Sequence, residues 1–336
     1  MKPRVPSRVV EGFATGLDRA GLSAALVYAA GRARRRAAFP ILTYHRVNDD
    51  RDPFLESLPT EVFERHVAHV ARHYCVLTVE ELVERMARRT LPRNALAITF
   101  DDGYRDTLTH AAPILARHGV PATVFLATGF VGTADVPWYD RLALAFKLTR
   151  ERSLATPWGD LISLDAPALR LRGLDQTLRY LKRMPDEVAR QAFDQLLARL
   201  GVTDARSFKN VMLTWDDVHA LAGLGFSIGA HTVGHPILSR VTRARAWQEI
   251  VGSRRMIAAA CDRPPRAFAY PNGGAEDYTA AVVDIVRQAG FTCAVTTRFG
   301  LNTATTSPWE LRRGGPWESH LPTFALKLAW YRLTLS

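Results

Sequence analysis

The chain has 336 residues, 47% of them hydrophobic and 23% charged, which allows one large core or two modest ones and suits a single α/β barrel. Three cysteines, Cys75, Cys261 and Cys293, stand far apart with no CxxC spacing. That argues against a disulfide framework or a thiolate metal site and favours a reducing compartment, so a cytoplasmic location is expected. The formal net charge is +11, and more than half of it sits in the first 36 residues, where eight Lys and Arg face two acidic residues.

Residues 1–38 read as a basic amphipathic arm. Its least polar piece, Leu22 to Ala30, is too short to span a bilayer and has arginines on its C-terminal side, so neither a signal peptide nor a membrane span is expected. Such an arm suits anionic lipid headgroups, phosphorylated substrates or nucleic acid. No finger, helix-turn-helix or basic-aromatic sheet motif accompanies it, so a membrane surface ranks ahead of nucleic acid.

After the arm, the spacing predicts a buried strand in FPILTYHRV (39–47) and a helix over 60–74 with Thr60 at its cap and Val62, Phe63, His66, Val67 and Val70 on one face. A short strand CVLT and a helix with Thr78 and Glu81 at capping-box spacing follow. Then come strand ALAITF, helix LTHAAPILARHG and strand PATVFLAT. From about 136 to 210 the alternation lapses into a mostly helical insertion, read as lying beside the main fold. It resumes with TWDDVHALAGLG (helix), FSIGAH (strand), a helix from about Thr242 to Ala260, AFAYP (strand), DYTAAVVDIVRQAG (helix) and FTCAVTT (strand). Seven strands alternating with helices predict a distorted or incomplete (β/α)7-type barrel over 39–315, and 316–336 reads as a C-terminal helix.

In such barrels chemistry gathers at the C-terminal strand ends. ITFDD ends a strand with Asp101 and Asp102, FSIGAHTVGH places His231 and His235 four apart, FAYPNGG ends at Tyr270, Pro271, Asn272 and Gly273, and ILTYH ends at His45. Two histidines at i, i+4 can share one face of a helical turn and bind one metal. A carboxylate completes a His₂-carboxylate set with an open position, where the metal lowers the pKa of bound water towards ~7. The second aspartate is then free to take that water's proton. Each motif alone has a plain alternative: Asp-Asp-Gly is a common turn, and a single His pair can be structural. Their joint occurrence at strand ends favours the metal reading.

TFDDG, HTVGH and FAYPNG in this order resemble the polysaccharide deacetylases of carbohydrate esterase family 4 over roughly Pro40 to Arg313, closest to members tied to bacterial exopolysaccharide synthesis. The resemblance implies that Asp102, His231 and His235 bind a divalent metal, usually zinc, and that Asp101 is the general base. It implies an N-acetylated amino-sugar glycan or lipid-linked saccharide as substrate, with a backbone N–H in the 270–273 loop holding the oxyanion. Thr232 fits the family's Ser/Thr between the histidines.

The chain also departs from that pattern. Ala269 stands where many members carry an arginine that orients the base, so Arg313 in WELRRGG is the candidate replacement, with Arg312 second. The family's late leucine–x–histidine motif is not evident, which leaves His45 to protonate the leaving amine or position the substrate, ahead of His320. The aspartate–tryptophan motif is absent too, with Trp138, Trp215, Trp309 and Trp317 as alternative stacking faces. A deformylase on a lipid-linked sugar and a catalytically silent glycan-binding scaffold stand as alternatives. The apolar C-terminal segment could join the arm in a peripheral membrane surface at the inner face of the membrane, or the two could simply pack together.

Overall fold

The computed structural model describes residue 15 and residues 38–202, 208, 210–315 and 318–334. The basic arm, Thr15 and Ala38 excepted, and Trp317 lie outside the described residues. β1 (Ala38–Phe39) and β2 (Ile41–Tyr44) lead to α1 (Thr60–His73), β3 (Cys75–Val76), α2 (Val79–Ala87) and β4 (Ala95–Phe100). A π turn (Thr107–Ala111) runs into α3 (Ala112–Arg117), followed by β5 (Thr123–Leu126). The inserted region holds α4 (Trp138–Leu148), β6 (Ser153–Ala155), β7 (Leu161–Ser163), α5 (Pro167–Leu181) and α6 (Asp186–Leu200). The repeat continues with α7 (Trp215–Gly223), β8 (Ser227–Ala230), α8 (Arg243–Cys261), β9 (Ala267–Ala269), α9 (Ala280–Gln288) and β10 (Cys293–Val295). β11 (Asn302–Thr303) and α10 (Leu321–Thr334) complete the order.

The seven expected strands form one curled parallel sheet in the order β10-β9-β8-β5-β4-β2, with β3 paired to β4. All six residues of β4 are buried, as helix-covered parallel strands require. Strand alternation sorts them. Leu96, Ile98 and Phe100 pack outward with the helices, whereas Ala95 and Ala97 face an interior shared with Ile41, Phe125, Ala267, Ala269, Cys293 and Val295. The inward residues are small because the curl is tight: a Cβ on Gly229 would lie 2.5 Å from the Phe125 ring.

β2 and β10 do not pair with each other. The gap is crossed by residues 311–314, where Leu311 N–H donates to Ala294 O (3.0 Å), Thr296 N–H donates to Leu311 O (2.8 Å) and Gly314 N–H donates to Ile41 O (3.1 Å). β1 pairs antiparallel with β11 beside this seam. The distorted barrel is therefore closed by an irregular strap, and that strap carries Arg313.

Local expectations fared unevenly. The Thr78–Glu81 capping box is present in both directions, and α1 buries the five residues expected. Thr60 is not a cap: it is the first residue of α1, and its N–H and hydroxyl donate to Asp49 instead (2.9 and 2.6 Å). The inserted region is mostly helical, through α4, α5 and α6, and adds one short hairpin. β6 and β7 pair through a turn with Gly159 at φ +98°, and three-residue strands are too short to show a periodicity. α10 docks on α1, with the Phe324 ring stacked on His66 at 3.8 Å and Leu328 buried.

Candidate active site

The inward alternation of β4 runs on past its end, from Ala97 and Thr99 to Asp101, whose N–H donates to Tyr44 O (3.0 Å). Asp102 then adopts φ +73° and Gly103 φ +87°, a reversal that swings the Asp102 carboxylate towards β8. A left-handed aspartate costs of order 1 kcal/mol, tolerated where the surroundings hold it.

His231 and His235 do not share a helical turn, contrary to the simplest reading of their spacing. They sit on an irregular loop after β8 in which Thr232 has φ +66° and His235 φ +56°. The Thr232 hydroxyl donates to His231 O and accepts from His235 N–H (3.0 Å), so it braces the loop. Buried Glu249 accepts the Val233 and Gly234 N–H groups (2.9 and 2.7 Å) and is itself paired with Arg245 at 2.6 Å. Four residues thus return the chain on itself rather than along a helix axis.

The result is a convergence of three ligand atoms. Asp102 Oδ1 lies 3.5 Å from His231 Nε2 and 3.3 Å from His235 Nε2, and the two Nε2 atoms are 3.2 Å apart. His231 Nδ1 donates to Ala269 O (2.8 Å), which turns the Nε2 lone pair inward. Burial holds the two imidazoles at about 4 and about 3, hence neutral. Asp102 Oδ1 is buried with no hydrogen-bond partner. Neutral nitrogens and an unpartnered carboxylate oxygen aimed at one point fit a divalent cation and fit little else.

Asp101 has a different environment. Arg313, wholly buried, grips it with two bonds, Nη1 to Oδ1 at 2.6 Å and Nη2 to Oδ2 at 2.5 Å. The guanidinium also donates to Thr99 Oγ1 and Thr296 O and lies over Phe125. It thereby supplies from the strap the charge that Ala269, a member of the interior cluster, does not. Burial alone would raise the Asp101 carboxyl; Arg313 overrides it and holds the group at about 2. Arg312 is exposed and its backbone bonds Asn302 instead. His45 stands half-exposed at the mouth, its Nε2 3.9 Å from Asp101 Oδ2. His320 precedes α10 and bonds Thr15 and Thr323, away from these groups.

Within the 270–273 loop the four residues separate. Tyr270, expected at the substrate, is instead scaffold: its ring packs outward on Tyr278 at 4.4 Å, its hydroxyl donates to Trp309 O and its N–H donates to Val295 O. Strand alternation after inward Ala269 dictates this. Pro271 has no N–H, and that of Gly273 donates to Pro271 O (2.7 Å). Asn272 (φ +57°) is left with the one loop N–H for which no acceptor is found among the described residues.

The inserted region also reaches the centre, which sequence reading missed. Tyr139 on α4 packs its ring against His235 at 5.3 Å, with a buried hydroxyl lacking a partner. Its neighbour Asp140 accepts from Tyr104 OH (2.8 Å), and burial raises Asp140 to about 6. No motif signals these residues; the amphipathic start of α4 was the available hint. Of the tryptophans, Trp138 lines the cavity next to His235, whereas Trp309 lies beneath Arg287.

A family model described as Polysaccharide deacetylase matches residues 88–294. A curated Bacillus subtilis (strain 168) protein, named "Putative polysaccharide deacetylase YxkH", is 30% identical over 103 residues, which are 30% of this chain and 36% of that relative. The match therefore spans little more than a third of the relative's length. IcaB from Ammonifex degensii superposes with a TM-score of 0.57 at 18% identity, over 89% of this chain and 98% of that one. Streptococcus pyogenes deacetylase PplD, solved in complex with acetate, gives 0.56 at 18% identity, over 83% and 92%. At that identity the two structures show a shared fold, and the family match rests on the sequence carrying Asp101, Asp102, His231, His235 and the 270–273 loop: the chain belongs to the polysaccharide deacetylase family.

Proposed function

We propose that this chain is a metal-dependent hydrolase that removes the N-acetyl group from an amino sugar of a glycan or lipid-linked saccharide, in bacterial polysaccharide synthesis or modification. The observation that carries the reading is the point where buried ligand atoms of Asp102, His231 and His235 converge beside the Arg313–Asp101 ion pair. A divalent cation held by those three residues, zinc in this reading, supplies Lewis acidity to the acyl carbonyl and the attacking water.

The chain's own groups divide the remaining work. Asp101, kept ionised and oriented by Arg313, accepts the proton of the attacking water. The Asn272 N–H faces the developing oxyanion. His45, at the exposed mouth, protonates the departing amine, and the products are acetate and a free amino sugar. Thr232 and Glu249 hold the ligand loop so that no reorganisation is needed on binding.

A cytoplasmic location and contact with the membrane face belong to the same proposal. No helix among the described residues is long and apolar enough to cross a membrane. Contact through α10 would use a face other than the one carrying Phe324 and Leu328.

The test is a screen of the zinc-loaded protein against N-acetylated and N-formylated amino-sugar oligomers and lipid-linked sugars, measuring acetate and formate. Acetate release that disappears on chelation and returns with zinc is expected. Neither acid from any donor, at full zinc occupancy, would leave a silent glycan-binding scaffold as the better description.

A further inference from the structure

A cavity of about 300 Å³ opens directly from His235, at the small end of ligand-site volumes (~300–1,000 Å³). Its apolar wall comes from the inserted region, with Trp138, Leu181 and Phe193, and from Ile237 of the ligand loop. Five basic side chains also line it, and three of them are matched: Arg141 by Asp135 (3.8 Å), Arg190 by Asp186 (2.7 Å) and Arg245 by Glu249 (2.6 Å). Lys182 and Arg240 are not; among the described residues no carboxylate lies within 4.0 Å of either. The one wall carboxylate left over, Asp194, is exposed on α6.

The two cations have distinct postures. Arg240 ends a short turn anchored on the 273–279 loop, since Ser239 donates to Asp277 O and Glu276 O. Its Nε is buried without an acceptor, a state that is unfavourable unless a ligand oxygen fills it. Lys182, just past the end of α5, lines the same cavity as His235. That places its amine on the approach to the ligand triad. A point charge and a planar guanidinium flanking one cavity are a recognition pair for an oxyanion.

We infer that the amino-sugar substrate carries an anionic group, a phosphate ester or a carboxylate, and that Lys182 and Arg240 receive it in the cavity between the inserted region and the His235 loop. This rests on the deacylase reading for the position of the sugar. The sugar's acyl group lies at the triad while its anionic substituent lies against α5, so the inserted region selects the substrate that the barrel hydrolyses.

The test is calorimetric binding to the zinc-loaded protein of three probes: N-acetylglucosamine 1-phosphate, its uncharged methyl glycoside, and an N-acetylated aminouronic acid. The phosphate probe is expected to bind at least about tenfold more tightly than the glycoside. That ratio should collapse in Lys182→Ala/Arg240→Ala and largely survive in Lys182→Arg, with circular dichroism confirming that both variants are folded. A matching preference for the uronate assigns the site to carboxylates as well as phosphates. Equal affinity for charged and uncharged probes overturns the inference, and so does a preference that survives the double substitution, because the anion then sits elsewhere. Acetate release from any of the probes is scored separately: its absence counts against the deacylase reading, and the binding ratio decides the anion site.

Discussion

Replacing Arg313 by methionine isolates what the buried ion pair contributes. In the intact protein Asp101 is held at about 2, against about 3.9 for an unfolded aspartate. The folded state therefore binds that proton less readily, and the pairing adds stability at neutral pH that is lost as pH falls from about 4 through 2. A difference of that size corresponds to about 3 kcal/mol. In Arg313→Met the burial of Asp101 loses its largest opposing charge, so its folded pKa is expected to rise above the unfolded value and the sign to reverse. The lone carboxylate then costs stability at neutral pH and is relieved once acid protonates it. Removing one partner of a buried pair costs about 3–5 kcal/mol. The guanidinium's bonds to Thr99 Oγ1 (3.2 Å) and Thr296 O (3.0 Å) place this case in the upper half of that range. Urea unfolding at pH 7 and pH 4.5, with chelator present throughout, measures the effect. We expect Arg313→Met to lie about 4–5 kcal/mol below the parent at neutral pH and closer to it at pH 4.5. The double variant Arg313→Met/Asp101→Asn should recover part of the loss at pH 7 and show a smaller pH dependence. If the gap is the same at both pH values and the double variant is no better than the single, charge pairing is not what Arg313 provides. Its packing over Phe125 would then carry the effect.

Four further substitutions probe the centre. Asp102→Asn should abolish stoichiometric zinc binding, while Asp101→Asn should keep the zinc and lose about 10²–10⁴ in turnover; elemental analysis beside acetate release would expose a wrong assignment if the two behaved alike. Glu249→Ala strips two backbone N–H groups of the ligand loop of their acceptor. Zinc affinity should fall about 10–100-fold in a competition titration, and an unchanged affinity would mean the loop holds its shape unaided. Gly273→Ala would set a Cβ 2.8 Å from Thr297 N and 2.9 Å from Tyr270 O at φ +69°. A loss of roughly 1–3 kcal/mol in thermal unfolding and a lower turnover are expected, and parent-like values for both would remove the strain argument.

What could be read from the chain alone was whatever local periodicity encodes. Apolar runs alternating with amphipathic helices announced the parallel βα units, and Thr78 with Glu81 announced a cap that is present in full. Residues at strand ends announced the mouth, because in a parallel barrel every strand's C-terminus opens on the same side. That is why Asp101, Asp102, His231, His235 and His45 could be named before any distance was known.

Tertiary structure decided the rest, for reasons of sequence distance and backbone reversal. His231 and His235 meet through left-handed residues at 232 and 235, which a four-residue spacing cannot distinguish from a helical turn. The outward turn of Tyr270 follows from the inward register of Ala269, and that register is set by partners on β8 and β10. Tyr139, Lys182 and Arg240 belong to segments without a motif and gain meaning only where the inserted region folds against the barrel. Asp101 and Arg313 stand 212 residues apart, and only closure of the sheet by the 311–314 strap brings a guanidinium to a carboxylate that burial would otherwise neutralise.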